Sequence, residues 1–286
     1  MKKWWTMAVV VVLLAGSAMP ASAAPLCFGK RATIEGSNRG ETLRGTSGAD
    51  VIFSRGGNDT IIAGGGKDRI CSGDGDDVVK AGGGDDKVFG STGVDRINGG
   101  TDNDQLFTGG ANSRDAEVVD GGPGDDVING ESNPDMIDGG PGNDEIHGGG
   151  GLLDKLDELS GGLGDDEVYG GETAIVAGGQ GSDYLVGLWA SFADSTGAVE
   201  VDLNDQTAVG EGDDQLEGVI HVIGSNFDDV VTGNTQANTI QGGVGDDTIN
   251  GGDGDDDLDG EAGTDELDGG FGLDTCDGES EFNCEF

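Results

Sequence analysis

One nine-residue phrase constrains everything this chain can fold into. Gly242 to Asp259 reads GGVGDDTIN and then GGDGDDDLD: Gly, Gly, any, Gly, any, Asp, any, large aliphatic, any. With those positions numbered 1 to 9, units in the same phase fill 36–107 without a gap, then 121–147, 161–169, 178–186 and 224–277. That makes nineteen nonads, 171 of 286 residues. Position 6 is Asp in seventeen of them, the exceptions being Glu41 and Asn238. Position 8 is Leu, Ile or Val in eighteen, the exception being Cys276, and position 4 is Gly in fourteen. One GGxGxD can arise by chance. A fixed phase over eight consecutive units is the signature of a solenoid.

Each position has a physical task. Glycine at 1, 2 and 4 permits positive φ and close backbone approach in a tight turn. The position-6 Asp supplies a hard anionic oxygen and the turn carbonyls supply more, a donor set suited to calcium with its six to eight oxygen ligands. Positions 7 to 9 make a short strand with only position 8 pointing inward. One unit cannot bury that aliphatic alone. Stacked units can, so Ile52, Ile61, Ile70, Val79 and Val88 are expected to build a ladder.

On these residues the chain resembles the RTX, or haemolysin-type calcium-binding, family. The resemblance implies an all-β fold, a right-handed parallel β-roll (a β-solenoid) with two nonads to each coil. It also implies calcium between successive turns on each edge, held by the position-6 Asp and backbone carbonyls. The full GGxGxD turns place ligands at Asp126, Asp144, Asp166, Asp183, Asp247, Asp256 and Asp274. Asp68, Asp77 and Asp86 keep Gly at 2 and 4. Asp50, Asp59 and Asp95 keep part of the glycine set, and Asp104, Asp135, Asp229 and Asp265 sit in more degenerate turns. Glu41 and Asn238 mark the weakest turns.

Composition carries a second argument. Sixty glycines and 57 acidic residues stand against 14 Lys and Arg, for a net charge of −43. Low aromatic content with high charge is also the profile of disorder, but low-complexity disorder has no reason to keep an aliphatic every ninth residue. Stacked carboxylates about 4.8 Å apart repel by several kcal/mol at an effective dielectric near 20. Against a domain stability of about 5–15 kcal/mol, the column is expected to come apart without a cation. The charge argues against nucleic acid and anionic lipid as partners. Calcium ions are the partners expected, and no particular protein or glycan is indicated.

Residues 1–23 read as a secretory signal: Lys2 and Lys3, an apolar run from Met7 to Ala15 too short to span a bilayer, and the Ala21-Ser22-Ala23 cleavage site. The chain is therefore expected to be secreted after cleavage near Ala23, without membrane insertion. This departs from the large RTX toxins, which leave by a type I route on a C-terminal signal. Residues 24–35 form an N-terminal cap, 36–186 and 224–277 two runs of repeats, 187–223 a non-repeat insertion and 278–286 a C-terminal cap. Segments 108–120 and 148–160 fit one nonad plus four residues, with Val119 and Leu159 at position 8; 170–177 is one residue short. They read as bulged turns.

Four cysteines, Cys27, Cys71, Cys276 and Cys284, suit two disulfides in an exported chain. Of three pairings, Cys27–Cys71 with Cys276–Cys284 is favoured, one bridge at each end. In strict register the strands of Ile34 and Ile70 lie two coils apart, about 9.6 Å and beyond disulfide reach, so the cap must bend across the sheet. In the insertion, Val199, Val201 and Leu203 alternate as a strand, and Leu216, Val219, Val222 and Ile223 form a second apolar set. Trp189 and Phe192 are the place to look for a ligand, or else a plug between coils. No HExxH and no GxSxG is present, and His147 and His221 have no catalytic signature around them, so a non-enzymatic protein is expected. The alternative is a secreted enzyme or toxin with its site in 187–223.

Overall fold

The computed structural model describes residues 26–110, 115–150, 155–278 and 280–284. The expected export signal and cleavage point lie outside them. The described chain is all β without a helix, a parallel β-solenoid of about 13 turns. Glycine-rich turns alternate with strands of mostly three to six residues, whose Ile and Val suit extended backbone.

Pairing runs from each residue to the one eighteen further on, so two nonads close one coil and odd and even units build opposite walls. On the first wall Ile34 pairs with Ile52, Ile52 with Ile70, Ile70 with Val88 and Val88 with Leu106. On the second, Leu43 pairs with Ile61, Ile61 with Val79 and Val79 with Ile97. The expected ladder is thus two ladders facing each other, and their position-8 side chains meet as one continuous core. The irregular segments keep this phase. Ile97 pairs with Val119, Ile137 with Leu159, and Leu159 with Val176; segment 170–177, expected as a bulged turn, instead lies within one strand, Glu167–Gln180, whose register shifts between Tyr169 and Ile175.

The insertion is spliced into the first wall. Strands Glu200–Asp202, Thr207–Val209 and Asp213–Glu217 form an antiparallel meander. Its last strand pairs in parallel with Tyr184–Ser191 and its first with Val230–Thr232. The second wall passes directly from Ala190 to Val222 to Ile240. Val199, Val201, Leu203, Ala208, Leu216, Val219 and Val222 are all buried in the common core, so the roll runs through the insertion as one body.

Both ends are closed. Leu26–Cys27 and Lys30–Arg31 form a small antiparallel hairpin outside the main sheet. It folds back so that Cys27 reaches Cys71 with 5.8 Å between Cα atoms, which is how the cap overcomes the two-coil separation. At the other end Cys276 is joined to Cys284, Cα to Cα 5.9 Å, and strand Ser280–Phe282 extends the first wall beyond Glu266–Asp268.

Candidate metal centre

The turns place the acidic side chains. In the nonad 139–147, Gly140 has φ +101° and Gly142 φ +150°; a Cβ on Gly140 would stand 2.7 Å from the carbonyl oxygen of Gly122, one coil earlier. Successive turns therefore stack backbone on backbone, and position 6 is carried under the turn into the protein.

The position-6 carboxylates form two columns, one along each edge, and share one hydrogen-bond pattern. Along most of each column the backbone N–H of one Asp donates to Oδ1 of the Asp one coil later, Asp135 Oδ1 being an exception: Asp50 to Asp68 (2.7 Å), Asp68 to Asp86 (2.7 Å) and Asp86 to Asp104 (2.8 Å). The same bond joins Asp126 to Asp144 (2.7 Å) and Asp144 to Asp166 (2.8 Å). The second oxygen is different. Oδ2 of Asp59, Asp68, Asp77, Asp86, Asp95, Asp104, Asp126, Asp135, Asp144, Asp166, Asp183, Asp247, Asp256 and Asp274 is buried with no hydrogen-bond partner. A buried, unpaired carboxylate oxygen is costly unless a cation or a proton meets it. The repeated turn thus presents an anionic oxygen beside a stack of backbone carbonyls, a fit for a hard cation that accepts many oxygen ligands.

Two further expected ligands, Asp50 and Asp229, stand in the columns with their oxygens already engaged, and Asp265 stands in the first column with its Oδ1 engaged. Both oxygens of Asp50 and of Asp229 accept bonds from the protein, chiefly from Thr46 and Ser225. Asp265 accepts the N–H of Asp247 at 3.0 Å. Three acidic side chains that the repeat count passed over also belong to the columns: Glu117, Asp157 and Asp214. Oδ2 of Asp157 and both carboxylate oxygens of Glu117 are buried and unbonded, and Asp214 accepts the N–H of Asp183 at 3.0 Å. The available signal was the aliphatic two residues later, Val119, Leu159 and Leu216.

Burial dominates the electrostatics. It pushes the carboxyls of Asp77, Asp86, Asp126, Asp183 and Asp247 up to about 6, those of Asp104, Asp144 and Asp166 up to about 7 and that of Asp95 up to about 8. The backbone hydrogen bond from the coil before opposes the rise, and neighbouring carboxylates add to it. Asp135 is pushed highest, to about 9, by burial and then by the Glu117 and Asp157 charges.

Position 5 does a separate job. Its side chain is exposed and points to the next coil, where it accepts the position-5 N–H: Asp125 from Asn143 (3.1 Å), Asn143 from Asp165 (3.2 Å) and Asp165 from Ser182 (2.9 Å). The paired Asp of positions 5 and 6 thus face in opposite directions along the roll.

Both columns break at the insertion. Asp157 pairs with Ala174, and the second edge continues through Leu188 and Ile220 to Asn238. On the first edge Val199 stands before Asp229. Phe192 packs against the core and lines a cavity of about 60 Å³ with Asp194, Glu211 and Asp214, far below the roughly 300–1,000 Å³ of typical ligand pockets. Trp189 lies against His221, ring centres 4.6 Å apart. On the outer face of the first wall parallel pairing stacks His147 on Tyr169, ring centres 4.7 Å apart, and Tyr184 meets Tyr169 edge-on at 5.9 Å.

The model of a known family, the RTX calcium-binding nonapeptide repeat (4 copies), matches residues 35–70, 72–112, 119–151, 156–174, 223–258 and 245–281, well over half of the chain. No curated protein matches it.

Proposed function

The chain belongs to the RTX calcium-binding nonapeptide-repeat family, and on that basis we propose that it is a secreted, non-enzymatic protein whose roll folds on the calcium it binds, in a structural, surface or adhesion role. The observation that carries this reading is the double column of buried Oδ2 atoms without partners. Asp50, Asp59, Asp68, Asp77, Asp86, Asp95, Asp104, Asp126, Asp135, Asp144, Asp166, Asp183, Asp229, Asp247, Asp256, Asp265 and Asp274 are the side chains that would hold the ions, together with the turn carbonyls. Bound calcium supplies the positive charge that buried carboxylates lack. Because the sites exist only when coils are stacked, binding free energy becomes folding free energy. The readings of an export signal at 1–23 and of an oxidising compartment are supported by the signal-like N-terminus and by the two disulfides.

Far-UV circular dichroism of residues 24–286 during a calcium titration, with magnesium as control, tests this. The expected result is a cooperative gain of β signal with calcium only, since magnesium demands a tighter octahedral shell and keeps its waters. A β signal already complete in chelator would show the roll held by its aliphatic core and disulfides, and would overturn folding on calcium.

A further inference from the structure

Two kinds of turn coexist in this roll, and position 2 separates them. Wherever one of the nineteen nonads has an unbonded buried oxygen on its position-6 side chain, position 2 has positive φ. This holds for glycines such as Gly64, Gly122 and Gly252. It also holds where position 2 is not glycine: Arg55 (φ 80°) before Asp59, Ser91 (φ 80°) before Asp95 and Glu131 (φ 63°) before Asp135. Left-handed backbone is unfavourable for such residues, so these turns keep the shape against local preference.

Four turns depart from it. Their position-2 residues are Ser37, Thr46, Ser225 and Asn234, none of which has positive φ. In each, the position-2 N–H donates to the position-6 side chain: Ser37 to Glu41 Oε1 (2.5 Å), Thr46 to Asp50 Oδ2 (2.7 Å), Ser225 to Asp229 Oδ2 (2.5 Å) and Asn234 to Asn238 Oδ1 (2.8 Å). The hydroxyls of Thr46 and Ser225 add a second bond, at 2.9 and 2.7 Å. Asn238 carries no charge, and its Nδ2 donates to the carbonyl oxygen of Ile220 at 2.7 Å, so an amide replaces both carboxylate and cation. In left-handed turns the position-2 N–H goes elsewhere; that of Glu131, for one, donates to Asn129 Oδ1.

These four turns are not scattered. They are the two turns of coil 36–53 and the two turns of coil 224–241, the first coil of each run of repeats. We propose that position 2 decides which turns take calcium, and that the first coil of each run is closed to it by hydrogen bonds of its own. Resting on the calcium reading above, this removes Asp50 and Asp229 from the ligand set. It also gives each run a starting coil that needs no ion and offers the next coil a stacking surface.

Crystals of the full mature chain grown with calcium and exchanged with terbium locate the ions by anomalous scattering. Peaks are expected at the turns of Asp68, Asp86 and Asp247, and none at Asp50, Asp229 or Asn238. Thr46→Gly turns GTSGAD into GGSGAD and should add one bound calcium by native mass spectrometry, whereas Thr46→Val should add none. A peak at Asp50 or Asp229 in the wild type, or an unchanged count in Thr46→Gly that is folded, overturns the proposal. If Thr46→Gly does not fold, the wild-type map decides alone. A wild type that binds no ion anywhere refutes the calcium reading itself, a separate outcome.

Discussion

A position-6 aspartate has two oxygens with opposite roles. For Asp86, Oδ1 accepts the N–H of Asp68 at 2.7 Å and ties two coils together, while Oδ2 is buried and unbonded. Asp86→Asn keeps an oxygen for that N–H and removes the charge. It should lower the bound calcium count by one and raise the thermal midpoint of the chelated protein, two effects of opposite sign that calorimetry with and without calcium separates. The pH dependence follows from the same atoms. Folding raises carboxyls such as Asp77, Asp104 and Asp95 from an ordinary value near 4 to about 6, 7 and 8, so between pH 4 and 8 the folded chain binds more protons than the unfolded one. Stability without metal is then greatest at the acid end and falls as pH rises through the raised values. Urea unfolding in chelator should show a higher midpoint at pH 5 than at pH 8, and a flat or rising profile would contradict the burial of these groups.

At the scale of the element, turn and strand contribute differently. A turn tolerates no side chain where coils touch: Gly140→Ala would press a Cβ to 2.7 Å from the Gly122 carbonyl oxygen at φ +101°. Gly197, with nothing within 4 Å of a Cβ, is the matched control. In saturating calcium Gly140→Ala should lose well over the roughly 1 kcal/mol of an ordinary backbone strain, with Gly197→Ala near wild type, read from denaturant midpoints. A strand contributes one inward side chain. Ile128 is fully buried between Leu106 and Ile146, and Ile128→Ala should cost about 2–5 kcal/mol by leaving a cavity in the ladder.

Over the whole molecule, the apolar core and the acidic columns have different extents. The core passes through the insertion without a break. The columns stop there, at Ala174, Leu188 and Ile220 on one edge and at Val199 on the other. Two acidic runs are therefore joined by a segment held chiefly by hydrophobic burial. Hydrogen exchange at limiting calcium should show protection surviving longest in strands Glu200–Asp202, Thr207–Val209 and His221–Ile223, while 54–107 and 242–277 lose theirs together with the ion. Uniform loss along the chain would mean that the insertion does not decouple the runs. The net charge of −43 adds a general repulsion that salt screens.

The nine-residue period by itself determined the solenoid, the inward position 8 and the acidic position 6. All of these follow from local chemistry repeated in phase: one aliphatic that must be buried, one carboxylate and glycines that permit the turn. The favoured cysteine pairing was also legible, though not the hairpin that lets Cys27 cross to Cys71. Other features depended on which residues eighteen or twenty-two apart come to lie side by side. Only the tertiary structure brings Glu117, Asp157 and Asp214 into the columns, stacks His147 on Tyr169, and splices the meander into one wall. It also separates the open turns from the closed ones, since Ser91 and Ser225 both stand at position 2 and only their backbone angles differ in kind. A residue's identity sets what its backbone prefers, and stacking against the coils on either side sets whether that preference is kept.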